Sequence, residues 1–368
     1  MDKKTLYGVD KTLEVKAWSV WTEDDTVVVE WGKLAGKKQI KKTVCKPKNV
    51  GRSNETTPSQ QAELEAQSKW NKQYDKYYRE TIEEAKSLLT EGVMLAQDYT
   101  KKPHFLKDRF YASRKLDGLR VKTVFVNGEP EWHSRGGKTY PVPEQLIPQL
   151  KYLHKVTGVE SLDGEGFVKG IKLQKIQSCI KKPNELTPRV TYEIFDVPML
   201  NVGFSDRNCI VQSFREVVED LSHVNIVEQE LIAKSELEEK LYQYLSEGFE
   251  GIMLRNQNGC YEFQNKRSND LLKYKLMEDS ECKVLSCKED KNGQGLFTVE
   301  WTNPETNVKV VFELSMNGSH EENTYDKLSK RLGEWINFKY QDLTEDGVPT
   351  FARGLYFREC DDKGNPLE

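Results

Sequence analysis

The sequence predicts an α+β protein built in three parts. Three observations carry this. The chain opens on short alternating apolar runs, followed by a long polar stretch with helical spacing. Its middle alternates strand-like and helix-like segments. Its last quarter returns to short strands broken by Gly- and Pro-containing turns. The expected parts are 1–88, a small β-sheet with a helix; 89–277, an α+β core; and 278–368, a small β-barrel. A chain of 368 residues has room for two or three domains.

In the first part, residues 16–21 alternate, 23–25 form a turn, and 26–31 are a β-branched run. Leu34-Ala35-Gly36 turns the chain into a third strand at 39–44. Thr57-Pro58 offers an N-cap and a first-turn proline. One long polar helix is expected over 59–89, with Leu64, Trp70, Tyr74, Tyr77 and Ile82 as its apolar stripe, a pattern that reads as core packing. In the core, helices are expected at 143–153, 174–178 and 235–247. In the last part, strands are expected at 281–287, 296–301, 308–314 and 335–340, punctuated by Gly293-Gln294-Gly295 and Asn303-Pro304-Glu305. Five short strands in about 90 residues suggest an OB fold.

No apolar run reaches membrane length, and the Met1-Asp2-Lys3-Lys4 start lacks the apolar core of a signal peptide. Seven cysteines and five histidines are scattered without metal-site spacing, so a reducing, cytoplasmic setting is expected. The net charge of −4 conceals an uneven distribution. From 31 to 54 no acidic residue occurs, while Lys33, Lys37, Lys38, Lys41, Lys42, Lys46, Lys48 and Arg52 accumulate. From Glu278 onward, 19 acidic residues stand against 11 basic ones. Affinity for phosphates follows local basic surface more than total charge.

The run Lys115-Leu116-Asp117-Gly118-Leu119-Arg120 sets an amine beside a tight Asp-Gly turn, with an arginine five residues on. A lysine amine attacks only once it has lost its proton. Burial and cationic neighbours favour that form, and Arg114 and Arg120 are close at hand. The same cations would neutralise a phosphate under attack. Alone, the run fits a charged surface turn equally well. It resembles motif I of the covalent nucleotidyltransferases: DNA ligases, RNA ligases and mRNA capping enzymes. In that family the lysine forms a phosphoramide bond to a nucleoside monophosphate. Five further runs follow in family order. Ser134-Arg135-Gly136-Gly137-Lys138 resembles motif Ia, Leu162-Asp163-Gly164-Glu165 motif III, and Tyr192-Glu193-Ile194-Phe195-Asp196 motif IIIa. Glu250-Gly251-Ile252-Met253-Leu254-Arg255 resembles motif IV, and Leu272-Lys273-Tyr274-Lys275 motif V. Each alone has a plainer reading as a hairpin turn, a buried strand or a solvated strand face. The ordered set over about 160 residues favours the family.

The chain thus resembles the small ATP-dependent DNA ligases of phage and viral type. The resemblance implies a nucleotidyltransferase core of antiparallel sheets around an ATP cleft, with an OB domain behind it. It implies Lys115 as the nucleophile that takes AMP from ATP. Glu165 would hold the ribose, Phe195 would stack on adenine, and Glu250 would serve Mg²⁺, for which Mn²⁺ should substitute. Lys273 and Lys275 would touch the nucleotide phosphate, and Arg120 and Arg135 the 5′-phosphate of a nick. Phe351-Ala352-Arg353-Gly354-Leu355-Tyr356-Phe357-Arg358 resembles a reduced motif VI, which implies a nucleotide role for Arg358 or Arg353. Ser113 stands where relatives often carry Glu or Thr, so backbone groups are expected to read the base. The N-terminal part resembles a WGR domain through Trp31-Gly32-Lys33, with Lys in place of Arg. Lysine contacts phosphate as a point charge and cannot fork bidentately. That resemblance implies DNA contacts from Trp31, Lys33, Lys37, Lys38, Lys41 and Lys42; the alternative is a scaffold with solvated lysines. The implied partner is nicked duplex DNA, acted on by a monomer. An RNA ligase, a capping guanylyltransferase and an inactive DNA-binding adaptor remain as alternatives.

Overall fold

The computed structural model describes residues 1–10, 12–304, 306–344 and 346–360. Glu305, in one of the expected turns, and 361–368, at the end of the expected barrel domain, lie outside the described residues. The chain forms two compact units, Met1–Tyr274 and Lys275–Glu368.

The first unit begins with a four-stranded antiparallel sheet in the order β1 (Lys4–Val9), β2 (Val15–Glu23), β3 (Thr26–Lys33), β4 (Gln39–Val44). The β2–β3 hairpin closes on Asp24 at φ 50°, the left-handed backbone that two-residue hairpin turns use. β1 was not among the expected strands; it buries Leu6 and Val9. Helix α1 (Pro58–Tyr74) starts at the expected cap. Thr57 Oγ1 accepts from the Gln60 amide at 3.2 Å, and Gln60 Oε1 accepts from the Thr57 amide at 3.0 Å.

The expected single helix over 59–89 is corrected to two. α1 ends at Tyr74, and α2 (Ile82–Ser87) starts anew from a Thr81–Glu84 capping box. Between them Arg79 exchanges backbone hydrogen bonds of 2.7 and 2.9 Å with Tyr7 of β1, and Tyr77 takes φ 66°. Pairing with β1 overrides helix propensity there. Of the expected apolar stripe Trp70 packs on the core of the sheet, while Leu64 is 58% and Tyr74 40% exposed; the residues α1 buries are Gln61, Ala62 and Ala66.

The rest of the first unit holds two sheets. Along the chain come β5 (Leu95–Asp98), β6 (Arg109–Lys115), β7 (Leu119–Val126), β8 (Glu129–Ser134), β9 (Thr139–Tyr140), α3 (Ile147–Thr157), β10 (Ser161–Phe167) and α4 (Leu173–Lys181). Then follow β11 (Thr191–Asp196), α5 (Phe204–Ser213), α6 (Arg215–Glu219), β12 (Val224–Ile226), β13 (Glu230–Ala233), α7 (Leu237–Ser246), β14 (Gly251–Asn256) and β15 (Arg267–Tyr274). One sheet runs β12-β11-β10-β7-β8-β9, the other β13-β6-β14-β15-β5. Both are mixed, which corrects the expected antiparallel sheets: β12 joins β11 in parallel, and β5 joins β15 in parallel. The β11–β12 pair has the helical crossover, α5 and α6, that a parallel neighbour requires.

Each sheet packs one face on helices. Trp132, Leu150, Ile176 and Tyr192 centre the first core, with α3 and α4 contributing. Phe110, Leu241, Tyr244, Ile252 and Leu254 centre the second, under α7. The opposite faces carry the charged motif residues.

The second unit is a closed five-stranded barrel in the order β16 (Glu278–Glu289), β17 (Gly295–Thr302), β18 (Lys309–Met316), β20 (Arg353–Phe357), β19 (Trp335–Tyr340), with a short α8 (Tyr325–Leu328). Phe297, Trp301, Leu314, Ile336 and Phe338 fill it. The four strands placed from the sequence, joined by β20 as a fifth, form this OB-like barrel. All seven cysteines are free thiols. No helix among the described residues is long and apolar enough to cross a membrane.

Candidate active site

Strand alternation explains which side chains meet. On β6, Ala112 enters the core under α7, so Tyr111, Ser113 and Lys115 point to the other face. The register places Gly251 of β14 opposite Lys115, Met253 opposite Ser113, and Arg255 opposite Tyr111. Lys273 of β15 lies opposite Met253, one strand further on the same face. On the other sheet, Glu165 of β10 lies between Arg120 of β7 and Glu193 of β11. Phe195 ties the two faces together. Its ring centroid is 5.1 Å from the Arg120 guanidinium of one sheet and 5.1 Å from the Arg255 guanidinium of the other.

Lys115 ends β6, and its Nζ donates to Glu250 Oε2. The Glu250 backbone N–H donates in turn to the Lys115 carbonyl at 3.1 Å. Both side chains are largely buried, at 18% and 13% exposure. Two glycines are dictated by this geometry. A Cβ on Gly118 would sit 2.6 Å from Glu165 Cγ and 2.7 Å from the Gly166 carbonyl. Gly251 sits at φ 152°, where a side chain would strain the backbone. The glycine of the lysine run therefore exists to let the Glu165 strand come close.

The cations expected to crowd the lysine are each compensated, which corrects that expectation. Arg114 points to the opposite side of β6, where it donates to Glu247 at 2.7 Å and Glu228 at 3.1 Å. Arg120 Nε donates to Asp163 Oδ1 at 2.9 Å. Asp163 is fully buried and also accepts from the Tyr261 hydroxyl. Burial would pull the Arg120 guanidinium down, but the Asp163 carboxylate outweighs it and holds it above its ordinary value. Burial pushes the Glu165 carboxyl up to about 8, against the pull of Lys115 and Arg120. Arg255 is 4% exposed; its burial lowers its pKa, which the Asp196 carboxylate offsets only in part.

Sequence reasoning overlooked Asp163, Arg255 and Tyr261. For the first two a signal was present: each is two residues from, and so on the same strand face as, a residue of the quoted runs, Glu165 and Met253. Tyr261 lies in a loop with no motif of its own. A cavity of about 510 Å³ lies next to these residues but is not lined by Lys115, Glu165 or Phe195; Leu116, Phe167, Glu193, Arg114, Glu228 and Phe249 are among its walls. That is the size range of a small-molecule site.

Other expected residues stand elsewhere. Arg135 is exposed in the β8–β9 turn, which is closed by Ser134 and Lys138. In the second unit, Lys275 Nζ lies 5.1 Å from the Phe351 ring centroid, and Arg358 pairs with Glu281 at 3.0 Å. Arg353 is exposed at the start of β20. In the N-terminal sheet, Trp31 and Lys33 end β3. Lys33 pairs with Glu14 at 2.7 Å, Lys42 pairs with Glu23 at 2.6 Å, and Lys38 caps the Leu34 carbonyl at 3.1 Å. Lys37 and Lys41 are exposed. Among the described residues, no group of three or more His, Cys, Asp or Glu forms a ready metal cage. Glu250 and Glu165 are near enough for the charge of one to raise the pKa of the other. With Glu165 favoured in its neutral form, Glu250 is the carboxylate there that suits an ion keeping waters and phosphate oxygens, as Mg²⁺ does.

Comparison with known proteins points to one family. The family described as "ATP dependent DNA ligase domain" matches residues 93–275. A DNA ligase of African swine fever virus (isolate Warthog/Namibia/Wart80/1980) is 26% identical over 339 residues, covering 86% of this chain and 79% of the viral one. A DNA ligase of Haemophilus influenzae is 26% identical, covering 73% of this chain and 91% of its own. Among solved structures, a Lig E DNA ligase superimposes with a TM-score of 0.60 at 26% identity, over 73% of this chain and 99% of that one. The lysine run, the facing carboxylates and these matches converge: the chain belongs to the ATP-dependent DNA ligases.

Proposed function

We propose that this ligase seals 3′-hydroxyl/5′-phosphate nicks in duplex DNA, with Lys115 as the AMP carrier. The observation that carries this reading is the Lys115 amine, largely buried and held by Glu250. The amine must shed a proton before attack, and Glu250 Oε2 is the acceptor it already meets. The Lys115 nitrogen then bonds to the α-phosphorus of ATP as the bond to pyrophosphate breaks. The AMP passes to the 5′-phosphate of the nick, breaking the N–P bond. The 3′-hydroxyl finally attacks that phosphorus and AMP leaves. Each step needs in-line placement and charge neutralisation more than covalent help from the protein.

In this reading Glu165 holds the ribose and Phe195 stacks on adenine. Lys273, Lys275 and Arg358 serve the nucleotide phosphates, and Arg120 and Arg135 the 5′-phosphate of the nick. Arg120 is the better positioned of those two, since Asp163 fixes its guanidinium. Glu250 would hold Mg²⁺, or Mn²⁺ in its place, whose charge neutralises the phosphates. The N-terminal sheet, WGR-like at Trp31-Gly32-Lys33, contacts the DNA backbone through Lys33, Lys37, Lys38, Lys41 and Lys42. We assign the segments 1–88, 89–277 and 278–368 to DNA contact, adenylyl transfer and the OB domain, and place a monomer in the cytoplasm. Incubation with α-labelled ATP or GTP, followed by nicked DNA or nicked RNA, tests the reading. Label from ATP alone, chased by nicked DNA, is the expected result. A chase by nicked RNA alone would favour an RNA ligase.

A further inference from the structure

The purine edge is the one part of the nucleotide that none of these residues reads by side chain, and Ser113 is short. We infer that Gln229, in the connection between β12 and β13, is the side chain that selects adenine. Glu230 lies opposite Ala112 in the β13–β6 register, so Gln229, one residue earlier, stands beside Ser113. The Glu230 side chain goes to Tyr244 at 2.9 Å and Lys240 at 2.7 Å, on the helix-covered face. Gln229 is therefore on the cleft face. Its Nε2 donates to the backbone carbonyl of Phe195 at 3.3 Å, so it crosses from one sheet to the other at the residue whose ring is assigned to stacking on adenine.

That bond also fixes the amide's orientation. A carbonyl only accepts, so the NH₂ must face Phe195 and Oε1 must face away. Gln229 Oε1 is buried and has no hydrogen-bond partner. A buried acceptor without a donor is costly, and such a group in a binding cleft marks where a ligand donor belongs. Adenine presents an exocyclic amino donor, whereas guanine presents a carbonyl acceptor at the same place. An acceptor fixed on the residue bonded to the Phe195 backbone favours the first and repels the second. The inference rests on Phe195 as the stacking residue.

The test compares ATP with purine riboside triphosphate, which lacks only the exocyclic amino group, as substrates for self-adenylylation. The native enzyme should prefer ATP by roughly threefold to tenfold in kcat/KM, the worth of one neutral hydrogen bond. In Gln229→Met and Gln229→Ala that preference should fall to about one. A variant that folds poorly loses both substrates alike, so the ratio still reports. An unchanged preference in both variants would overturn the inference and leave Gln229 as a strut for Phe195. Phe195→Ala is run beside them and should weaken both nucleotides equally. If it weakens neither, the stacking reading fails, and the inference falls with it.

Discussion

Charges on the N-terminal sheet and charges in the cleft are held in different ways. On the sheet, Lys33 and Lys42 reach Glu14 and Glu23, yet their side chains are 65% and 58% exposed. In the cleft, Arg207 donates to Asp196 at 2.8 Å with both side chains 1% exposed, and Arg120 is locked to a fully buried Asp163. An exposed pair gains little because water screens it. A buried pair is costly to break because the survivor is left charged in a poor solvent for charge. The cleft charges are therefore a fixed frame. The sheet pairs can be broken at little cost.

The largest effect should come from breaking that frame. Arg207→Ala strands the Asp196 carboxylate and removes the bond to the Gly259 carbonyl at 3.0 Å. Unfolding free energy should fall by about 3–5 kcal/mol in a denaturant titration. A loss no larger than that of an exposed pair would erase the contrast between the two regions.

A smaller effect sharpens it through pH. Burial raises the Glu165 carboxyl from 4.5 to about 8, so the fold favours its neutral form. The stability tied to that proton is complete below the ordinary carboxyl value and is lost as pH rises through about 8. Glu165→Gln stays neutral throughout. The native Tm should therefore drop relative to the variant between about pH 4.5 and about pH 8, then run parallel above. Parallel curves across that window would mean that Glu165 is not the desolvated group described.

The smallest change in stability should come from the sheet. Changing Lys37, Lys38, Lys41 and Lys42 together to Ala should leave the Tm nearly unchanged. The salt slope of nicked-duplex binding should fall by roughly 0.9 for each DNA phosphate that no lysine neutralises any longer. An unchanged slope would make the sheet a scaffold. Substitution is a cleaner probe than truncation after 88, because Asn265 donates to the Tyr77 hydroxyl at 3.0 Å and Gln264 to the Val9 carbonyl at 3.4 Å.

Legibility in the sequence followed the same division. The Thr57 cap, the closed barrel and the strands bearing Lys115, Glu165, Phe195 and Lys273 were readable, because capping and strand alternation are local rules. The break at 75–81 was not, because it depends on Arg79 meeting Tyr7 far away in sequence. The parallel edges β5 and β12 were hidden for the same reason. The lysine run was legible as a candidate site, but not the way Arg114 turns to Glu228 and Glu247. Asp163 was within a quoted run and was passed over because burial, not residue type, makes it matter.

The central claim is that Lys115 is the AMP carrier, and Lys115→Ala tests it most directly. The variant should form no acid-stable labelled adduct with α-labelled ATP, yet should still close a nick that already carries a 5′-adenylyl group, since that step uses no lysyl adduct. A labelled adduct in the variant would contradict the account outright.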